Sequence, residues 1–120
     1  MKMNEPQALD AFGALSQETR LRMVRALVRA GPGGMPAGSV GDAVGASSSS
    51  ASFHLAHLER AGLAQSRREA RSIIYTANYG GLSALVDFLM RDCCQGHPEV
   101  CTPAVDALSC CEPMKEKADA

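Results

Sequence analysis

Five cysteines occur in the chain, and all of them fall in one C-terminal stretch: Cys93, Cys94, Cys101, Cys110 and Cys111. The ninety-two residues before Cys93 contain none. A free thiol packs as a small hydrophobe almost anywhere, so a core would scatter cysteines rather than collect them. Segregation points to shared chemistry at one place, and thiolates at close spacing select soft ions. The ligand set expected first is Cys93, Cys94 and Cys101, with Cys101, Cys110 and Cys111 as the second choice. Three thiolates from one segment suit a trivalent, thiophilic ion such as As(III) or Sb(III), whose lone pair occupies the remaining direction. Neighbouring residues on a regular helix project about 100° apart. Cys93 and Cys94 therefore converge only if the helix end unwinds, which Gly96 and Pro98 favour.

Other chemistry competes for the same residues. Cys93, Cys94, His97 and Cys101 supply four nitrogen and sulfur ligands, enough for a closed zinc site, although Cys-Cys is not the usual Cys-x-x-Cys knuckle. Asp87 with His97 is a weaker zinc pair. Vicinal thiols can also be oxidised to a disulfide or sulfenic acid. A structural disulfide framework is disfavoured by the odd count. No run of apolar residues approaches the roughly 20 needed to span a bilayer. The start of the chain has no hydrophobic secretory region, so a cytoplasmic protein with reduced thiols is expected.

These thiols must be positioned by the elements ahead of them. At 120 residues the chain is of single-domain size, and its net charge of −1 announces no nucleic-acid partner. Distribution is more telling: arginines concentrate at positions 20–29 and 60–71. The absence of Trp argues against a stacking surface for single strands.

Leu9, Phe12 and Leu15 at intervals of three predict a helix over residues 5–15, with Pro6 tolerated in its first turn. Ser16 is the expected N-cap of a second helix on which Leu21, Val24, Leu27 and Val28 make one apolar stripe, stopped by the Gly31–Gly34 segment. The glycine-rich stretch through Gly38 reads as loop. Ser39 and Asp42 have capping-box spacing for a brief helix with Val40, Ala43 and Val44 inward. A turn at Gly45-Ala46 leads to a helix capped within Ser47–Ser49 and running to about Arg60, with Ala51, Leu55 and Leu58 as its buried stripe. Two short helices joined by such a turn make a helix-turn-helix. Residues 64–77 read as a β-hairpin around Arg68-Glu69-Ala70, because Ile73 to Thr76 are strong strand formers. Residues 79–92 return to helical period, with Leu82, Leu85, Val86 and Leu89 on one face.

The expected architecture is therefore mainly α with a small β-hairpin. Residues 1–92 form a winged helix-turn-helix domain, and residues 93–120 a cysteine-rich segment and tail. The outward face of the fourth helix carries Ser49, Ser52, Phe53, Ala56 and Arg60, with Ser48, Ser50 and His54 beside it. Small hydroxyls there suit base edges and phosphates in a major groove. Arg67, Arg68 and Arg71 at the hairpin tip could reach the DNA backbone or minor groove. His54, on the flank of the buried stripe, is expected to be a hydrogen-bonded structural residue, and His57 to be at the surface or a dimer contact. No nucleophile–base pair or phosphate loop is present, so an enzyme is not expected. A metal-binding or interaction protein without DNA is the rival reading.

The segment SSSSASFHLAHLERAGL resembles the recognition segment of ArsR/SmtB-family repressors: a serine-rich start, Ser52-x-His54-Leu55, and a terminal Ala61-Gly62-Leu63. The run Thr19 to Arg22 is similar to that family's second helix. The likeness spans roughly residues 7–92. It implies a homodimeric winged-helix repressor, joined through its first and last helices, that holds a palindromic operator when metal-free. One departure stands out. Many arsenic-responsive members carry a Cys-Val-Cys pair on the short helix before the recognition helix, and here residues 39–46 have no thiol. The vicinal pair after the last helix resembles instead a subset whose arsenite site lies at the C-terminus.

Overall fold

A computed structural model describes residues 2–91. The order of elements is α1 (Glu5–Leu15), α2 (Glu18–Ala30), β1 (Met35–Pro36), α3 (Ala37–Val44), α4 (Ser48–Arg60), β2 (Ala64–Glu69), β3 (Ser72–Ala77) and α5 (Tyr79–Met90). The strands form one antiparallel sheet in the order β1-β3-β2. The contact pattern divides the chain after Phe88, so residues 1–88 form a unit of their own. This is the winged helix-turn-helix expected from the sequence.

Helix α1 begins with a capping box. The Gln7 backbone N–H donates to Asn4 Oδ1 at 2.8 Å, and the Asn4 N–H donates to Gln7 Oε1 at 2.9 Å. Its inward face differs from the expected one. Ala8, Ala11 and Ala14 are buried, whereas Leu9 and Phe12 are 64% and 37% exposed, and Leu15 only edges the core. Three alanines let the helix axis approach α2 and α4 closely, and this displaces the larger side chains outward. Ser16 caps the end of α1, its Oγ donating to the Gly13 carbonyl at 2.8 Å, so it does not start α2. Gln17 takes that role, its Oε1 accepting from the Arg20 N–H at 2.9 Å. In α2 the buried residues are Met23, Val24, Ala26 and Leu27, while Leu21 and Val28 are exposed.

The glycine-rich loop hides a strand. Met35 pairs with Tyr75 and Pro36 with Ile74, and proline is tolerated because β1 is an edge. Gly34 makes this pairing sterically feasible: a Cβ there would lie 2.5 Å from the Tyr75 carbonyl oxygen, and its φ of +75° suits glycine. Helix α3 then starts at Ala37 rather than at a Ser39 cap; Pro36 is the cap residue and supplies no side-chain hydrogen bond. Val40 is fully buried, Val44 partly, and Ala43 is exposed.

The α3–α4 corner follows the sequence closely. Gly45 adopts the left-handed conformation at φ 72°, and the Ala46 N–H closes onto the Gly41 carbonyl at 2.9 Å. Ser47 caps α4 by accepting from the Ser50 N–H at 3.2 Å. Ala51, Leu55 and Leu58 are buried as expected. The Leu63 N–H bonds to the Leu58 carbonyl at 2.9 Å, ending α4 and sending the chain into β2. The hairpin register runs from Ala64↔Ala77 to Glu69↔Ser72, leaving Ala70 and Arg71 as the turn. In α5, Gly81, Ala84 and Leu85 are buried and Leu82 and Phe88 edge the core. Val86 and Leu89, expected on the same face as Leu82 and Leu85, are exposed. Among the described residues, no helix is long and apolar enough to cross a membrane.

Candidate nucleic-acid interface

Helix α4 presents two opposite faces. Ala51, Leu55 and Leu58 hold it to the core, and Ser48, Ser49, Ser52, Phe53 and Arg60 are exposed on the other side. Ser50, His54, Ala56 and His57 lie partly buried between them. Hydroxyls, an aromatic ring and a guanidinium thus share one solvent-facing surface, a mixture that can meet base edges and phosphates.

The orientation of that surface depends on Arg20. Its Nε donates to the Ala14 carbonyl at 2.8 Å, and its Nη1 lies 3.1 Å from His54 Nδ1. One side chain of α2 therefore ties the last turn of α1 to the middle of α4. Arginine has no acceptor, so His54 Nδ1 accepts and the imidazole is neutral in this bond, with its proton on Nε2. Burial first, and the Arg20 guanidinium second, hold the His54 pKa below its ordinary value. The His54 ring in turn meets the Phe53 ring edge-on, with centroids 5.4 Å apart and planes inclined at 68°. His57 is also held low, by burial and then by Arg20, Arg60 and His54, with Asp10 acting in the opposite sense. His54 is therefore hydrogen-bonded, as expected, and Arg20 is the positioning residue that sequence reasoning missed. No sequence signal pairs two residues thirty-four positions apart.

In the wing the three arginines separate. Arg67 is drawn back: its Nε donates to Glu69 Oε2 at 2.7 Å and its Nη2 to the Gly33 carbonyl at 2.9 Å. Its register partner Ile74 is buried, so Arg67 lies on the sheet side that meets the β1 loop. Arg68 pairs with Ile73 on the opposite side, and Arg71 stands in the turn; both are exposed. The expected trio at the tip is thus a pair, with Arg67 serving the wing itself. Ser66 Oγ donates to Glu59 Oε2 at 2.9 Å, bracing β2 against the last turn of α4. This brace was also not anticipated.

The thiol residues Cys93, Cys94, Cys101, Cys110 and Cys111, and His97 with them, lie outside the described residues. Among the described residues, no group of three or more His, Cys, Asp or Glu side chains could hold a metal ion. Asp87 lies on α5.

Comparison with known proteins agrees with this geometry. A helix-turn-helix domain family matches residues 15–67. The transcriptional activator HlyU of Vibrio cholerae is 30% identical over 97 residues, covering 81% of this chain and 87% of HlyU. The solved HlyU structure superposes with a TM-score of 0.60, covering 76% of this chain and 96% of that one. HlyU in its reduced form has also been solved; it is 28% identical, with a TM-score of 0.55, covering 72% of this chain and 87% of that one. An ArsR-like transcriptional regulator from Rhodococcus sp. RHA1 is 25% identical with a TM-score of 0.65, covering 87% and 91%. The homodimeric winged helix-turn-helix DNA-binding domain of a Mycobacterium bovis protein is also 25% identical, with a TM-score of 0.58, covering 77% and 85%. These relatives are regulators of transcription rather than enzymes. With an outward-facing α4, a braced wing and this extent of likeness, the chain belongs to the ArsR/SmtB family of winged-helix transcriptional regulators.

Proposed function

We propose that this protein is a homodimeric repressor that holds a palindromic operator when metal-free and releases it when As(III) or Sb(III) binds its C-terminal thiolates. The observation that carries this reading is the confinement of all five cysteines to the segment after α5. Dimerisation is supported by apolar side chains on the two helices concerned that are exposed among the described residues, Leu9 and Phe12 on α1, and Tyr79, Val86 and Leu89 on α5. Residues 1–92 read DNA and dimerise, and residues 93–120 sense. Cys93, Cys94 and Cys101 are the first ligand set, and Cys110 and Cys111 with Cys101 the second. The donor set fits, since three thiolates suit a soft trivalent ion better than they suit a hard one. Ligation that reshapes the end of α5 would alter the dimer seam and with it the spacing of the two α4 helices. A differential affinity of about 3 kcal/mol lowers operator binding roughly a hundredfold, and DNA weakens metalloid binding by the same factor.

A second reading is thiol-redox control, favoured by the vicinal cysteines and by likeness to HlyU, a protein also solved in its reduced form. Zinc or cadmium at Cys93, Cys94, His97 and Cys101 is the third. Fluorescence anisotropy of an operator duplex, challenged in turn with arsenite, antimonite, zinc and peroxide, separates the three. Cys93→Ser and Cys94→Ser should bind DNA as wild type does yet resist arsenite. If both variants still release on arsenite, the first ligand set is wrong; if only peroxide releases, the redox reading replaces it.

A further inference from the structure

Helix α4 exposes one large apolar side chain. Phe53 is 62% exposed, whereas the other exposed large apolar residues of the described chain belong to α1, α2 and α5. At about 100° per residue, Phe53 projects nearly opposite the mean direction of Ala51, Leu55 and Leu58. It therefore sits on the outward face, with Ser49 and Ser52 towards the N-terminal end of the helix and Arg60 two turns further on. No other described residue covers it. Its ring is nevertheless restrained, because its neighbour His54 meets it edge-on and is itself held by Arg20. A fixed apolar group on a polar reading face needs an apolar partner on the DNA. The major-groove edges of the base pairs offer one apolar group that projects, the C5-methyl of thymine; the rest of the edge is hydrogen-bond donors and acceptors with only ring C–H beside them.

We propose that Phe53 is a specificity-determining residue that reads a thymine methyl group in the operator. This rests on α4 being the recognition helix. The serines and Arg60 then anchor and hydrogen-bond, while Phe53 distinguishes thymine from cytosine and from uracil by shape and desolvation alone.

The probe is a duplex selected by the wild-type full-length protein from a randomised pool. Each thymine is replaced singly by uracil, which removes the methyl and leaves base pairing intact. One position per half-site should lose about fourfold in affinity, the worth of one buried methyl-sized group. Phe53→Ala should bind the thymine duplex less tightly and should show no further loss on uracil substitution at that position. Phe53→Leu, which keeps an apolar tip, should retain part of the thymine preference. Wild-type binding indifferent to every uracil substitution would overturn the proposal while leaving DNA recognition by α4 standing. So would a thymine preference undiminished in Phe53→Ala. Failure to enrich any duplex would overturn the recognition-helix reading itself, and this proposal with it.

Discussion

Replacing Arg20 by methionine keeps most of the apolar stem of the side chain and removes the guanidinium with both of its hydrogen bonds. The guanidinium binds the Ala14 carbonyl at 2.8 Å and His54 Nδ1 at 3.1 Å in a partly buried position. Hydrogen bonds from a charged donor contribute about 1.5–3 kcal/mol each when shielded. Both contacts are only partly buried, so about 1 kcal/mol each, or ~2 kcal/mol together, sets the scale. For a domain of this size that lowers Tm by roughly 8–16 °C. Thermal unfolding followed by circular dichroism measures it, and operator anisotropy measures the accompanying loss of DNA affinity as α4 loses its tie to α1. The acid limb carries a second signature. The folded pKa of His54 is depressed, by burial and then by Arg20. A depressed pKa gives stability that is fully present above the unfolded value, about 6.5, and is lost as pH falls below it through the folded pKa. In Arg20→Met the charge contribution disappears and burial remains, so the loss of stability as pH falls below about 6.5 should become shallower but not vanish. A variant with wild-type Tm, wild-type operator affinity and an unchanged acid limb would refute the positioning role.

Two further outcomes are expected. A Cβ at Gly81 would overlap the carbonyl oxygen of Gly62, backbone against backbone, so Gly81→Ala should force α5 off the end of α4. The cost is about 1–3 kcal/mol, the range for overpacking, and is read from urea unfolding. Arg68→Ala and Arg71→Ala should each weaken binding to all duplexes alike and reduce the salt slope by about 1, whereas Arg67→Ala should leave the slope nearly intact, since Arg67 is occupied by Glu69 and the Gly33 carbonyl. Sequence-selective loss from Arg68→Ala would contradict a phosphate contact.

In α4, in the turn before it and in the hairpin strands, local signals and structure agree. Ala51, Leu55 and Leu58 recur with one helical period, Ser47 caps their helix, and Gly45 supplies the left-handed turn before it, so the helix-turn-helix was legible. The hairpin was legible for the same reason, since Ile73 to Thr76 are strong strand formers. Its turn falls at Ala70-Arg71, later than the expected centre at Arg68-Glu69-Ala70, because Arg68 and Glu69 still pair within the sheet. The outward placement of the α4 serines, Phe53 and Arg60 follows from that periodicity.

Other features depended on what came to lie alongside. Amphipathic spacing shows that α1 and α5 have an apolar side; it does not show that Ala8, Ala11 and Ala14, rather than Leu9 and Phe12, face the core. Strand β1 is two residues long, too short for any period, and exists because Tyr75 and Ile74 pair with it. The division of Arg67 from Arg68 is set by strand register, and the Arg20–His54 and Glu59–Ser66 ties by the packing of elements distant in the chain. The sequence by itself determined the five helices and the β2–β3 hairpin, their order and the collection of thiols at one end, because helical period and turns act over a few residues. The tertiary structure decided which faces are buried, which arginine is committed and what holds the reading helix in place, because those outcomes depend on close approach between segments that local periodicity does not relate.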